Sequence, residues 1–143
     1  MRIFLDANVL IDVAYSDRPC SKESLKLFDY LTDHLDRFEL CTSCDLVTTI
    51  YYVLIKNIGR QEALSKIKTI NRFIKVIEFG NHEIDEAVYL MEKNENFTDL
   101  EDTIQFVMAR KERCDYIVSN DKHFYSHDVP LLNSSEALKQ IGH

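Results

Sequence analysis

Short apolar runs alternate along the chain with stretches in which apolar side chains recur every three or four residues, the period of a helix buried on one face. Residues 2–5, Arg-Ile-Phe-Leu, are the first such run and predict a buried strand; Asp6-Ala7-Asn8 then opens a helical pattern with Val9, Leu10 and Val13 on one side. After Pro19, Ser21 is the expected N-cap of a helix reaching about residue 35, with Leu27, Phe28, Leu31 and Leu35 facing inward. A second strand is expected at 38–41. Helical spacing returns in Val47, Ile50, Tyr51, Leu54 and Ile58, and Gly59 stands where a left-handed C-cap would end that helix. Ala63, Leu64, Ile67 and Ile70 predict the next helix, residues 73–79 a third strand, and Asn81 the cap of a helix carrying Ile84, Ala87, Val88 and Met91. A polar turn at 94–98 leads into a helix from Asp99 to about residue 113, with Leu100, Ile104, Val107 and Met108 inward. Strands at 116–119 and 129–132, and a short last helix capped by Ser134, complete the pattern.

Strands alternating with helices, without repeats or low-complexity linkers, predict an α/β fold with a short central parallel sheet covered by helices on both faces. With 143 residues the chain is expected to form a single domain, 1–143. In open parallel sheets, ligands bind beyond the carboxyl ends of the strands. That rule directs attention to Asp6 and to Asn120-Asp121.

Composition narrows the class. Apolar residues at 45% and charged residues at 29% suit a folded globular chain. No apolar stretch approaches the roughly 18 residues of a membrane span, and no basic start leads into an apolar secretory segment, so a cytoplasmic address and no membrane contact are expected. Seventeen basic residues against 24 acids leave a net charge of -7, which argues against a surface that grips nucleic acid all over. One segment departs from this balance: Lys56, Arg60, Lys66, Lys68, Arg72 and Lys75 face only Glu62, a local +5 against -12 for the rest. This segment is the candidate for phosphate contact, with a solvated helix face as the plain alternative. Arg110, Lys111 and Arg113 could extend it, or simply complement a helix C-terminus.

Four cysteines are too few for a disulfide scaffold, and with three glycines the chain has neither a P-loop nor a GxGxxG turn. Cys41-Thr42-Ser43-Cys44 is a CxxC at a strand-to-helix junction, the arrangement that activates a thiol in disulfide oxidoreductases. It is a rival signal of another class, and on its own only half a zinc site.

The stronger chemical signal is carboxylate. Asp6 follows the first strand, Asp99 and Asp102 open a helix three residues apart, and Asp121 follows the fourth strand. Two carboxylates about 4 Å apart repel by roughly 1 kcal/mol in water and about 4 kcal/mol near a protein surface. A cluster of them therefore needs a proton or a hard cation such as Mg²⁺. Each has a plain reading too: Asp6 and Asp99 as N-caps, Asp102 as a favourable first-turn charge, Asp121 as a turn residue.

Phe4-Leu5-Asp6-Ala7-Asn8-Val9-Leu10-Ile11, followed in order by Asp99-Leu100-Glu101-Asp102-Thr103-Ile104-Gln105-Phe106 and by Cys114-Asp115-Tyr116-Ile117-Val118-Ser119-Asn120-Asp121-Lys122-His123-Phe124, resembles the PIN-domain nucleases over almost the whole chain. The resemblance implies a three-layer α/β/α fold and a Mg²⁺- or Mn²⁺-dependent ribonuclease, many bacterial members being toxins of VapBC-type toxin-antitoxin pairs. It implies Asp6, Asp102 and Asp121 as catalytic metal ligands, Asp99 as a further one, and Asn8 and Ser119 as the residues that orient them. Lys56, Arg60, Lys66 and Lys68 would contact RNA. An antitoxin protein and a homodimer are the implied partners, the dimer drawing on apolar residues at 43–57 and 21–35.

One position departs from the family. Where it usually keeps an acid in the helix after the second strand, residues 46–61 hold none, and Thr48 or Thr49 occupies the place. Asp45 at that helix start is out of register, and Glu101 is expected to face away from Asp102. The departure keeps open a non-catalytic RNA-binding or interaction module on the same fold.

Overall fold

The apolar run after Met1 becomes the central strand of a parallel sheet in the computed structural model, which describes residues 1–142. β1 (Arg2–Leu5) lies between β2 (Glu39–Ser43) and β4 (Tyr116–Val118), with β3 (Lys75–Ile77) beyond β2 and β5 (Leu131–Leu132) beyond β4. Every neighbouring pair is parallel, and Phe4 stands in register with Cys41 on one side and Ile117 on the other. A central parallel strand is covered on both faces, which is why Ile3, Phe4 and Leu5 are consecutive and all buried.

The helices are α1 (Ala7–Ala14), α2 (Ser21–Asp33), α3 (Cys44–Ile58), α4 (Arg60–Phe73), α5 (Asn81–Lys93), α6 (Leu100–Lys111) and α7 (Ser134–Ile141). α1 packs on α2 and α3, α4 on α3, and α7 on α2, while α5 and α6 form a second pair, giving the three-layer α/β/α arrangement. α6 has no polar face over its middle: Thr103 to Ala109 are all buried, so it is an interior helix that reaches β2 and β4 across the central strand. Its first residue, Leu100, lies ahead of that stretch and is exposed, as is Leu35 beyond the end of α2, so neither faces inward as its spacing suggests.

Three expected caps fall one residue inside their helices. Cys20, Gly80 and Asn133 hold the N-cap positions in place of Ser21, Asn81 and Ser134. At α7 the reason is visible: Asn133 and Glu136 form a reciprocal capping box, and the Ser134 hydroxyl is paired with Ser24 at 2.8 Å. Gly59 has the positive φ expected of it, +83°, but its ψ of 169° is extended, so it is a hinge between α3 and α4 and not a left-handed helical cap. The third strand is shorter than 73–79 because Phe73 stays in the last turn of α4, its ring edge-on to Phe28 at 6.5 Å.

β2 runs on to Ser43, so Cys41 is a buried strand residue and Cys44 the first of α3. The Cys41 thiol meets Cys114, not Cys44. An exposed dithiol, which a disulfide oxidoreductase needs, is therefore not what this CxxC forms. Among the described residues, no helix is long and apolar enough to cross a membrane.

Candidate active site

Asp6 occupies the N-cap position of α1 in extended backbone geometry, yet its side chain makes no capping bond. Its backbone N–H donates to Val118 at 3.0 Å, tying the carboxyl ends of β1 and β4 together. That leaves the buried carboxylate to accept the Ser119 hydroxyl at 2.7 Å. The Ser119 oxygen in turn accepts the Asp121 N–H at 3.1 Å and a long contact from the Asn8 amide at 3.5 Å. Asn8 accepts the Asn120 N–H at 3.2 Å, so Asn8 and Ser119 both bind the segment after β4 to the start of α1.

Asp99 does cap α6, accepting the Asp102 N–H at 2.9 Å, and Asp121 accepts the His123 N–H at 2.8 Å in a local turn. One oxygen of each is thus engaged by the backbone. Asp102 is different. Burial first, then the charges of Asp6, Asp99, Asp121 and Glu101, push its carboxyl up to about 7. Burial also raises Asp6, opposed by the hydrogen bonds from Ser119 and Gln105. The expected carboxylates therefore converge at the carboxyl ends of the strands, within reach of one another's fields.

Gln105 was not among the residues singled out from the sequence. It lies one turn beyond Asp102, is buried, and its amide donates toward Asp102 at 3.5 Å as well as to Asp6. Its spacing of three residues from Asp102 was the available signal. Glu101 is a correction. Its carboxyl is raised by burial and then by Asp45, Asp6 and Asp99, and it bonds to Thr49. Though the residue is exposed overall, its carboxylate lies within reach of the charges of Asp6 and Asp99, and Thr49, the partner it meets, is one of the two α3 threonines at the place where the resemblance implies an acid. The neighbouring Thr48 hydroxyl bonds back to the Asp45 carbonyl at 3.0 Å.

The basic residues fall elsewhere. Lys75 pairs with Glu39 and Glu112, at the amino end of the sheet. Arg110 pairs with Glu86 and Asp128, and Lys111 with Glu83, so these cations tie α6 to its surroundings and are not free to extend a basic patch. Lys56 lies over the Tyr52 ring at 3.8 Å. Lys56, Arg60 and Lys68 are exposed and Lys66 half-buried, and none joins the acidic centre through an ion pair or side-chain hydrogen bond among the described residues.

The donor set fits a hard cation. All the converging groups are carboxylates whose mutual repulsion a cation would relieve, and Gln105 Oε1 is buried without a hydrogen-bond partner among the described residues. No three His, Cys, Asp or Glu side chains among the described residues are drawn together into a closed cage. Mg²⁺ does not demand one, since it keeps several waters and takes only one or two carboxylates directly.

A buried aspartate at the carboxyl end of the central parallel strand, opposed by carboxylates from α6 and from the turn after β4, defines an acidic-centre α/β/α protein. The chain belongs to the PIN-domain family, whose model matches residues 2–123. It is 44% identical over 135 residues to Ribonuclease VapC1 of Aquifex aeolicus (strain VF5), covering 94% of this chain and 92% of that one. Among solved structures it is similar to the sarcin-ricin-loop-cleaving toxin VapC20 of Mycobacterium tuberculosis, with a TM-score of 0.70 at 16% identity over 85% of this chain and 92% of that one. It is similar also to VapBC2 of Rickettsia felis bound to a fragment of its promoter DNA, with a TM-score of 0.70 at 15% identity over 93% and 98% of the two chains. At such identities these structures establish the fold.

Proposed function

We infer that the protein is a divalent-metal-dependent endoribonuclease and the toxin of a toxin-antitoxin pair. The observation that carries this is the buried Asp6, held by Ser119 opposite a carboxyl on Asp102 displaced to about 7, in a chain 44% identical to a ribonuclease. Asp6, Asp102 and Asp121 would hold Mg²⁺ or Mn²⁺, with Asp99 at the margin because its Oδ1 caps α6. When bound, the ion would supply an activated water and neutralise charge on the phosphate and the leaving oxygen.

The chain's own residues do the rest. Ser119 and Gln105 fix the Asp6 carboxylate, and Asn8 fixes the segment that carries Asp121. Asp102, whose carboxyl is pushed up to about 7 by burial and the neighbouring acids, would hold a cation only in its deprotonated form, so its binding would be favoured as pH rises. The mechanism calls for no side-chain nucleophile, so hydrolysis would leave a 5′-phosphate and a 3′-hydroxyl. Exposed Lys56, Arg60 and Lys68, with Lys66, would follow the RNA backbone. An antitoxin would occupy the protein in the resting cell, in the cytoplasm where the RNA is. Exposed Tyr52, Leu25 and Leu35 on and beside α3 and α2 would serve a homodimer.

Thr49 favours the second reading, an RNA-binding module with a weakened centre. One experiment separates the two. Purified protein with single-stranded RNA and millimolar Mn²⁺ should release 5′-phosphorylated fragments, and Asp6→Asn should release none. RNA retained intact by wild type at every Mn²⁺ concentration would leave the binding module standing.

A further inference from the structure

Next to the acidic centre, on the β5 side, lies a cavity of about 540 Å³ bounded by the loop before α2, the segment after β4 and the start of α7. Ser119 and Asp121 line it, so it shares with the acidic centre the Asp121 carboxylate and the Ser119 that holds Asp6. Its size is within the range of small-molecule sites, roughly 300–1,000 Å³.

The walls are built, not incidental. Asn120 donates from Nδ2 to Asp12 at 2.8 Å and to Ser24 at 2.9 Å, and its Oδ1 accepts the Ser134 N–H at 2.9 Å. One side chain thereby fastens α1, α2 and α7 to the end of β4. Asp12 is buried and further held by Arg18. A cavity with walls fixed in this way is preformed, which lowers the cost of ordering a ligand in it.

Its chemistry selects against phosphate and for a neutral ring. Among the described residues, Glu23, Asp121 and Glu136 line it against the ammonium of Lys122, an excess of negative charge that repels an anion. Pro19, Phe124 and Leu131 give an apolar side. Glu136 is engaged in the α7 capping box, whereas Glu23, in the first turn of α2, is exposed, lines the cavity and has no hydrogen-bond or ion-pair partner among the described residues. Guanine presents two adjacent N–H donors on its Watson–Crick edge, which a carboxylate accepts side by side; adenine, cytosine and uracil offer it no such pair.

We propose that this cavity holds an unstacked nucleobase of the RNA strand beside the scissile phosphate, guanine by preference, with its Watson–Crick edge on Glu23 and its ring against the Phe124 side. This rests on RNA being the substrate. The site would make cleavage base-selective, with Glu23 as the specificity-determining residue.

The test uses the four free nucleosides, which lack phosphate and so report on the cavity independently of any cation. Titrated into ¹⁵N-labelled protein in EDTA, guanosine should give saturable shifts at the Asn120, Lys122 and Ser135 amides at lower concentration than adenosine, cytidine or uridine. Glu23→Gln should weaken guanosine about tenfold or more, the scale of one bidentate base contact, and Ser135→Trp, which fills the cavity, should abolish the shifts. Saturation by no nucleoside, or titrations unchanged in the exposed-site variant Glu23→Gln, would overturn the proposal. In Mn²⁺, wild-type cuts should cluster beside guanosines and Glu23→Gln should spread them. Guanosine binding without any RNA cleavage would sink the nuclease reading and spare the cavity, and base-indifferent cleavage without nucleoside binding would do the reverse.

Discussion

Ser119, the residue after β4, donates its hydroxyl to Asp6, the residue after β1, at 2.7 Å across 113 positions of sequence. The contact exists because β1 and β4 are adjacent and parallel, so both chains leave the sheet at the same end. It opposes the desolvation that raises the Asp6 carboxyl. Buried carboxylates keep their charge only when such donors are present.

Ser119→Ala should therefore raise Asp6 further and move the acid limb of the pH–rate profile for RNA cleavage to higher pH. Loss of a residue that orients a ligand typically costs about 10- to 100-fold in metal affinity or activity. Cleavage followed against pH checks both. A fall in rate with the limb unmoved would make Ser119 a packing residue only.

Asp102 makes stability depend on pH in an unusual direction. Its folded pKa of about 7 lies above the ordinary 3.8, so the folded state binds the proton more tightly than the unfolded chain. That contribution is present at low pH and lost as pH rises from about 4 to 7. In EDTA, Asp102→Asn should raise Tm at pH 8 and flatten its dependence across this window. Mn²⁺ at 100 times its Kd adds about 2.7 kcal/mol to a protein that binds it only when folded, so Tm of wild type should rise more than that of the variant. Equal Mn²⁺ shifts in the two proteins would remove Asp102 from the metal site.

Thr49 and Glu101 form a pair in which the carboxylate comes from α6 and not from α3. Glu101→Gln should weaken Mn²⁺ binding, and adding Thr49→Glu to it should restore binding by returning the acid to α3. Thr49→Glu alone places two acids together and should lower Tm in EDTA. The four proteins form a double-mutant cycle; additive Mn²⁺ midpoints would show that the two positions do not share the ion.

Asn120 satisfies a buried charge, since its amide donates to Asp12 at 2.8 Å. Asn120→Ala should cost about 1–3 kcal/mol, the scale of leaving a buried polar group unsatisfied. In urea the midpoint should fall with the slope unchanged. A variant as stable as wild type would mean that Arg18 and Ser24 alone hold Asp12.

Local pattern was enough for the order of strands and helices, because burial imposes a period of two or an unbroken run on a strand and 3.6 on a helix whatever the rest of the chain does. It placed Asp6, Asp102 and Asp121 at element ends, and a parallel sheet brings such ends to one edge. What it left undecided depended on neighbours distant in sequence. Asp6 takes an N-cap position but turns to Ser119, whereas Asp99 caps as its residue type suggests; only the packing of β4 beside β1 distinguishes them. Glu101 comes within reach of Asp6, Asp45 and Thr49 only because packing sets the first turn of α6 beside residues far away in sequence. Ser134 gives up its cap to Asn133 because a hydroxyl on α2 lies against it. Residue type and spacing determined which groups this protein has to work with, and tertiary packing, which selects among hydrogen bonds of nearly equal energy, decided which partner each one took.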